Sequence, residues 1–279
     1  MTTQYLRPRT LDEALEARAA HPDWMVLAGG TDLMVNATHR AAPAGILDLW
    51  RLPELRGITR GDELTIKAGT TWLEVEHDPA IIERFGPLAA AAREIGALQI
   101  QARGTLGGNV GTSSPVGDSL PVLLAFDAEL ELASIRGRRR VAYRDFCTGY
   151  RKTLLAPDEL IIAAHLAPPK QRTRTTWRKV GTRRAQSISK VMGAAFIELD
   201  GETVTLARVA LGAVADRPIR IAAVEHAVVG LPLGGKAADA ARAAMRTAIK
   251  PIDDIRSTAT YRREVAENLV ARFFSGILT

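Results

Sequence analysis

Two glycine-rich turns carry the clearest chemical potential in this chain. The first, Ala28-Gly-Gly-Thr-Asp-Leu33, directly follows a short apolar run. The second, Gly104-Thr-Leu-Gly-Gly-Asn109, is followed by Ser113-Ser-Pro-Val-Gly-Asp118. Glycine admits positive φ and lets a backbone approach a ligand closely. Successive backbone N–H groups in such turns converge on an anion. A single turn of this kind is common as plain structure. Two of them, each with a Thr and a side-chain amide or carboxylate, fit the two charges of a pyrophosphate gripped from opposite sides. Neither reads Gly-x-Gly-x-x-Gly and neither runs into Lys-Ser/Thr, which speaks against a Rossmann site and a P-loop. Spacing alone reaches a pyrophosphate-bearing cofactor and does not separate FAD from other dinucleotides.

Other reactive residues are sparse. Cys147 is the only cysteine, so the chain forms no internal disulfide and cannot supply the thiolates of an iron–sulfur cluster. The histidines, at 21, 39, 77, 165 and 226, lack metal-ligand spacing, and no metal site is expected. The formal charge of +6 includes a run at Arg138–Arg140 and a pair at Arg183–Arg184. No aromatic residues interleave with these to make a stacking platform, so an anionic cofactor or acidic partner is favoured over nucleic acid. No apolar run reaches the roughly twenty residues of a membrane span. Met1–Pro8 lacks a signal-peptide core, and a cytoplasmic protein is expected.

The turns need elements to hold them. Thr10-Leu-Asp-Glu13 reads as a capping box, and Leu11, Ala14, Leu15 and Arg18 follow at helical spacing. Trp24–Ala28 and Ile46–Leu49 read as strands of a small β-α-β unit. Glu63–Ala68 alternates as a strand, Thr71-Trp-Leu-Glu74 is a second capping box, and Leu88–Ile95 is helical. Glu129–Ser134 and Arg139–Tyr143 flank a turn at Arg136-Gly137. Leu160–Leu166 is another strand, and the segment from Pro168 to Thr175 reads as a linker. Beyond it, Gly193–Leu199 and Thr203–Ala210 form a hairpin on Asp200-Gly201. Three helices follow near 219–229, 236–249 and 257–275, the last with Tyr261, Val265 and Leu269 on one face. The 279 residues suit two domains or three small ones.

At these same residues the chain resembles a known family. Leu27-Ala-Gly-Gly-Thr-Asp-Leu33 and Arg103-Gly-Thr-Leu-Gly-Gly-Asn109, with Ser114-Pro115 and Asp118, resemble the two FAD loops of molybdenum-hydroxylase flavoproteins. This is the medium-subunit type of xanthine and carbon monoxide dehydrogenases. Phe146-Cys-Thr-Gly-Tyr-Arg-Lys-Thr-Leu-Leu155, Ser187-Ile-Ser-Lys-Val191 and Asp254-Ile-Arg-Ser-Thr-Ala-Thr-Tyr-Arg262 extend the likeness from about residue 4 to about 275. The resemblance implies an α+β fold. A PCMH-type FAD-binding domain would cover 1–170, with subdomains of about 1–57 and 58–170. A C-terminal domain of antiparallel sheet plus three helices would cover 171–279.

It also implies a division of labour. FAD is bound here, while the molybdenum cofactor and [2Fe–2S] clusters lie on a large and a small partner subunit of a dimerised heterotrimer. Electrons pass from the clusters to FAD and on to an acceptor such as NAD. The implied cofactor contacts are Leu27, Ala28, Gly29, Gly30, Thr31, Asp32 and Leu33, then Ile95, Thr105, Gly108, Asn109, Ser114, Asp118 and Lys190. Thr105 would donate its hydroxyl to a phosphate oxygen, and Gly107-Gly108 would let the backbone close in. Asp118 would accept hydrogen bonds from the cofactor, and Lys190 would place a charge beside it. No catalytic residue is expected on this chain. Thr31 stands where some relatives carry a His that binds flavin covalently, so FAD is expected to be non-covalent. The cysteines of the benzoyl-CoA-reducing relatives are missing. Met1 lies close to the start of the FAD domain, so the iron–sulfur domain is expected on a separate chain. Gly149–Thr153 leans toward a xanthine-type substrate over carbon monoxide, with nicotinate and aldehyde dehydrogenases as alternatives. From other classes, a stand-alone FAD oxidase would need a substrate domain that the C-terminal hundred residues look too small to be. A basic binding module would carry no flavin.

Overall fold

The computed structural model describes residues 3–35, 41–183 and 186–276; of the residues singled out above, His39 and Arg184 lie outside them. The N-terminal unit runs β1 (Gln4–Leu6), α1 (Leu11–Ala20), β2 (Met25–Leu27) and β3 (Gly45–Asp48). Its strands form a parallel sheet in the order β1-β3-β2. Thr10 caps α1 by accepting the Glu13 N–H. The Glu13 carboxylate takes the N–H of Arg9 rather than that of the cap, so the expected box is only half formed. Leu11, Ala14 and Leu15 are buried against Ala133, Leu160 and Ile162 of the next sheet.

The second unit holds β4 (Ile58–Arg60), β5 (Leu64–Lys67), α2 (Trp72–His77), α3 (Pro79–Arg84), α4 (Gly86–Glu94) and α5 (Leu98–Gln101). It continues through α6 (Leu106–Thr112), α7 (Leu120–Ala125), β6 (Glu129–Ser134), β7 (Gly137–Ala142) and α8 (Tyr143–Phe146). A small β8 (Cys147–Gly149)–β9 (Lys152–Thr153) pair and β10 (Leu160–Leu166) complete it. The antiparallel sheet β4-β5-β10-β6-β7 is covered on one side by these helices. The Thr71 capping box is complete. The β6–β7 turn falls on Ile135-Arg136, one residue before the expected pair, because Ser134 pairs with Gly137.

The third unit begins inside the expected linker. β11 (Thr173–Val180) is a full strand whose polar Thr-Arg alternation hid it. It pairs along its length with β12 (Val191–Asp200), which pairs with β13 (Thr203–Gly212) and then the short β14 (Ile219–Arg220). Asp200 pairs with Thr203, so the hairpin turn is Gly201-Glu202, again one residue from the expected Asp-Gly. Helices α9 (Ala222–Val228), α10 (Gly235–Ala248) and α11 (Ala259–Phe274) follow. The buried run in β12 has a direct cause: Ala195 and Ile197 face the three helices, while Ala194 and Phe196 join the core of the second unit. On α11 the expected Leu269 is buried and Val265 packs against the core, while Tyr261 is exposed and the buried Arg262 takes the inward place beside it.

Candidate functional site

A cavity of about 650 Å³ opens between the first two units, within the roughly 300–1,000 Å³ typical of small-molecule sites. Strand β2 delivers the first glycine turn to its edge. Gly30 has φ +78°, a conformation that favours glycine. At Gly29 a Cβ would lie 1.7 Å from the Arg103 carbonyl oxygen, so only glycine lets the two turns pack backbone to backbone. Across that contact, a Cβ on Gly104 would stand 3.4 Å from the Thr31 hydroxyl. The two turns are therefore one constellation.

They offer different chemistry. The N–H groups of Gly29 through Leu33 have no protein partner among the described residues, and this stretch lines the cavity. In the second turn Leu106 donates to Thr70 O, Gly107 to Ala68 O at 2.7 Å, and Asn109 to Thr105 O. Gly108 donates to the Thr105 hydroxyl at 3.1 Å, the cap of α6. Of its backbone donors only the Thr105 N–H has no protein partner among the described residues. What else remains for a ligand is the Thr105 hydroxyl proton, the Ser114 hydroxyl and the Asn109 amide nitrogen, whose companion oxygen accepts from Ser119 at 2.8 Å. None of Gly104, Gly107 and Gly108 has positive φ. Gly107 is needed for room, since its Cβ would sit 2.7 Å from the Cβ of Ala68. The first turn thus offers mainly backbone amides, and the second mainly the Thr105 and Ser114 hydroxyls and the Asn109 amide.

Ile95 and Asp118 also line the cavity. Asp118 is buried, its Oδ2 2.6 Å from the Lys179 ammonium and its Oδ1 accepting from Ser189 at 2.6 Å. Burial pushes its carboxyl above the ordinary range against the pull of Lys179 and Ser189. Lys179 also donates to Glu94 O at 3.1 Å, and the Trp177 indole donates to Asp118 O. The third unit thereby braces this end of the cavity. Lys190 is not there: its ammonium lies over the Tyr261 ring at 4.9 Å, and it is absent from the lining. Lys179 is the cation beside Asp118, and it too stays behind the lining. Leu27 also stays out of the lining, because Val26 takes the inward direction on β2 and successive strand residues alternate.

Sequence reasoning missed several residues of the wall, among them Arg18, Trp24, Trp50, Arg56 and Arg151. The Trp50 ring lies under the guanidinium groups of Arg56 and Arg103 at 4.1 and 3.7 Å. Arg151 reaches Asp32 at 3.4 Å. The place of Arg18 at helical spacing after Leu11, Ala14 and Leu15 was the one signal available. Among the described residues no His, Cys, Asp and Glu cluster could hold a metal, and no helix is long and apolar enough to cross a membrane.

Comparison with known proteins agrees with this geometry. The family described as the FAD binding domain in molybdopterin dehydrogenase matches residues 1–169. The family described as the CO dehydrogenase flavoprotein C-terminal domain matches residues 177–277. The chain is 31% identical over 275 residues to the xanthine dehydrogenase FAD-binding subunit of Escherichia coli O157:H7, covering 97% of this chain and 94% of that one. It is 29% identical over 284 residues to the nicotinate dehydrogenase FAD-subunit of Eubacterium barkeri, covering 99% and 96%. Among solved structures, a chain of carbon monoxide dehydrogenase from Hydrogenophaga pseudoflava superposes with a TM-score of 0.92 at 30% identity, covering 98% and 96%.

Proposed function

Because the chain belongs to the FAD-binding subunits of the molybdenum hydroxylases, we propose that it is the electron-outlet subunit of such an enzyme. It receives electrons from [2Fe–2S] clusters on a small partner subunit and delivers them to a final acceptor such as NAD. Hydroxylation takes place at a molybdenum cofactor on a large partner. The complex is a dimerised heterotrimer in the cytoplasm. The observation that carries this reading is the first turn, whose residues Gly29 to Leu33 line the cavity and whose N–H groups have no protein partner among the described residues. Such a set suits a pyrophosphate.

Bound FAD supplies a carrier that can exchange electrons one or two at a time. The chain's own residues do the rest. The Gly29–Leu33 amides bind the pyrophosphate, and Thr105, Asn109 and Ser114 hold its other side. Ile95 presents an apolar surface to the ring. The buried Asp118–Lys179–Ser189 group fixes polar atoms at that end of the cavity. Arg151, on the Gly149–Thr153 segment, borders the first turn.

Substrate choice resides on the large partner. The Gly149–Thr153 segment favours a xanthine-type purine over carbon monoxide, nicotinate or an aldehyde. The test is affinity purification of the tagged chain from its native host. The expected preparation contains FAD, molybdenum and iron, with the molybdenum on a co-purifying chain. Under anaerobic conditions xanthine bleaches the flavin in the complex, and NAD restores its colour. Recovery of the chain without a molybdenum-containing partner would overturn the proposal. Bleaching by another substrate would reassign the substrate alone.

A further inference from the structure

The charged side chains that line the cavity are balanced, with one exception. Asp32 pairs with Arg151 at 3.4 Å, Arg56 with Glu74 at 3.5 Å and Asp118 with Lys179 at 2.6 Å. Glu159 takes a two-pronged contact from Arg139 at 2.6 and 2.8 Å. Arg18 has no carboxylate within ion-pair distance among the described residues. Of its five N–H donors, only one finds the protein, an Nη1 bond to Trp24 O at 2.9 Å. Its Nε is shut off from solvent without a partner. Burial holds its pKa below the ordinary guanidinium value although Asp158 and Asp23 pull it upward. A half-buried, underused cation on a cavity wall is costly unless something else occupies its donors.

Its position says which part of a dinucleotide that is. Arg18 is anchored to Trp24, at the start of β2, while the amide nest begins past the other end of that strand at Gly29. The three strand residues of β2 and the bends at its ends separate them, a span of up to about 16 Å at about 3.3 Å per residue. Arg18 and the amide nest thus stand at opposite ends of β2, which places Arg18 away from a pyrophosphate held at the nest. At the other end of the cavity, Asp118 and the Glu94 carbonyl next to Ile95 are tied to Lys179 of the third unit. Arg18 instead sits on α1, which packs against Ala133, Leu160 and Ile162 of the second sheet. On the α1 side the cavity wall carries Val26 and Leu160, apolar surfaces suited to a flat base, with Trp24 beside Arg18. We propose that Arg18 is the adenosine-recognising residue of the FAD site: its free Nη donors bind ring-nitrogen acceptors at the edge of the adenine. Purine ring nitrogens such as N3 and N7 are acceptors, and arginine both donates to and stacks on such systems. The inference rests on FAD being the cofactor of this cavity.

Arg18→Met keeps the length and apolar stem and removes the donors. The test measures dissociation constants of FAD, ADP and FMN for the flavin-depleted chain, by calorimetry and by quenching of flavin fluorescence. ADP carries the adenosine and pyrophosphate without the flavin, and FMN carries the flavin with one phosphate. The variant should weaken FAD and ADP alike by at least about tenfold, the loss of a charged hydrogen bond, and leave FMN within about twofold. Unchanged FAD binding, equal weakening of all three, or a loss confined to FMN would each overturn the assignment. If Arg18→Met does not fold, Arg18→Lys is read by the same ratio, since a lysine cannot reproduce the guanidinium's paired Nη donors. Failure of the wild-type chain to bind FAD at all would instead count against the cofactor reading itself.

Discussion

Gly107 and Gly108 are neighbours with opposite reasons for being glycine. A Cβ on Gly107 would strike Ala68 at 2.7 Å and its carbonyl oxygen at 2.9 Å, a packing conflict with backbone that cannot yield. A Cβ on Gly108 would meet only the Thr105 hydroxyl, at 3.0 Å, and the rest of a larger side chain would enter the cavity. Gly107→Val should therefore lower stability by about 1–3 kcal/mol, as overpacking does, seen as a reduced Tm. Gly108→Val should keep its circular dichroism spectrum while FAD affinity falls by about tenfold or more, the equivalent of losing a charge-assisted hydrogen bond. Flavin content and melting temperature on the same preparations separate the two. A Gly108→Val chain with wild-type affinity would show that the second turn does not face the cofactor.

Helix α11 is tied to the sheet by one buried cation. The Arg262 guanidinium donates to Lys190 O at 2.7 Å, to Ala213 O at 3.1 Å and to Asp254 at 2.7 Å. It thereby locks the 250–258 segment, helix and strand ends together. The Asp254 side chain is 26% exposed, so loss of this partner should cost less than the 3–5 kcal/mol of a fully buried pair, about 2–3 kcal/mol. Urea unfolding of Arg262→Met measures it. Desolvation works to raise the Asp254 carboxyl, but the Arg256 and Ser257 N–H groups and Arg262 together hold it below the ordinary range. A depressed folded-state pKa contributes stability above the unfolded value and loses it as pH falls. The wild type should therefore lose more stability than Arg262→Met between neutral pH and about pH 3. Parallel loss in both proteins would count against the link.

Across the whole molecule the third unit is a structural part of the cofactor site. Trp177 and Phe196 enter the core of the second unit, Lys179 and Ser189 hold Asp118, and Arg208 and Arg220 converge on Asp127 at 2.9 and 3.0 Å. Covalent attachment of flavin needs a nucleophile in the cavity. Thr31 occupies the turn, and Cys147 is buried against the hydroxyls of Ser113 and Tyr143. Acid precipitation should release all flavin into the supernatant, and yellow colour in the pellet would refute a non-covalent cofactor. The isolated chain should carry no stoichiometric iron, because one cysteine cannot ligate a cluster. Elemental analysis decides this, and iron at one or more atoms per chain would move a cluster onto this subunit.

The two glycine turns, the Thr71 capping box, the Leu160–Leu166 strand and the three closing helices were legible in sequence. Caps, turns and periodicity are properties of residues a few positions apart, and the chain carries them wherever it folds. The same local logic erred by one position at both hairpin turns and put Tyr261 rather than Arg262 on the buried face of α11, because register and the burial of Arg262 are set by partners in other elements. Only the tertiary structure decided that the second turn spends its amides on Ala68 and Thr70. It alone placed Lys179 beside Asp118 and Lys190 over Tyr261, made a strand of the polar segment 173–180, and left Arg18 without a counter-charge among the described residues. These outcomes depend on contacts between residues tens of positions apart. Whether a donor is free, or a charge paired, is settled by which groups arrive at the same place, and residue types along the chain do not specify that.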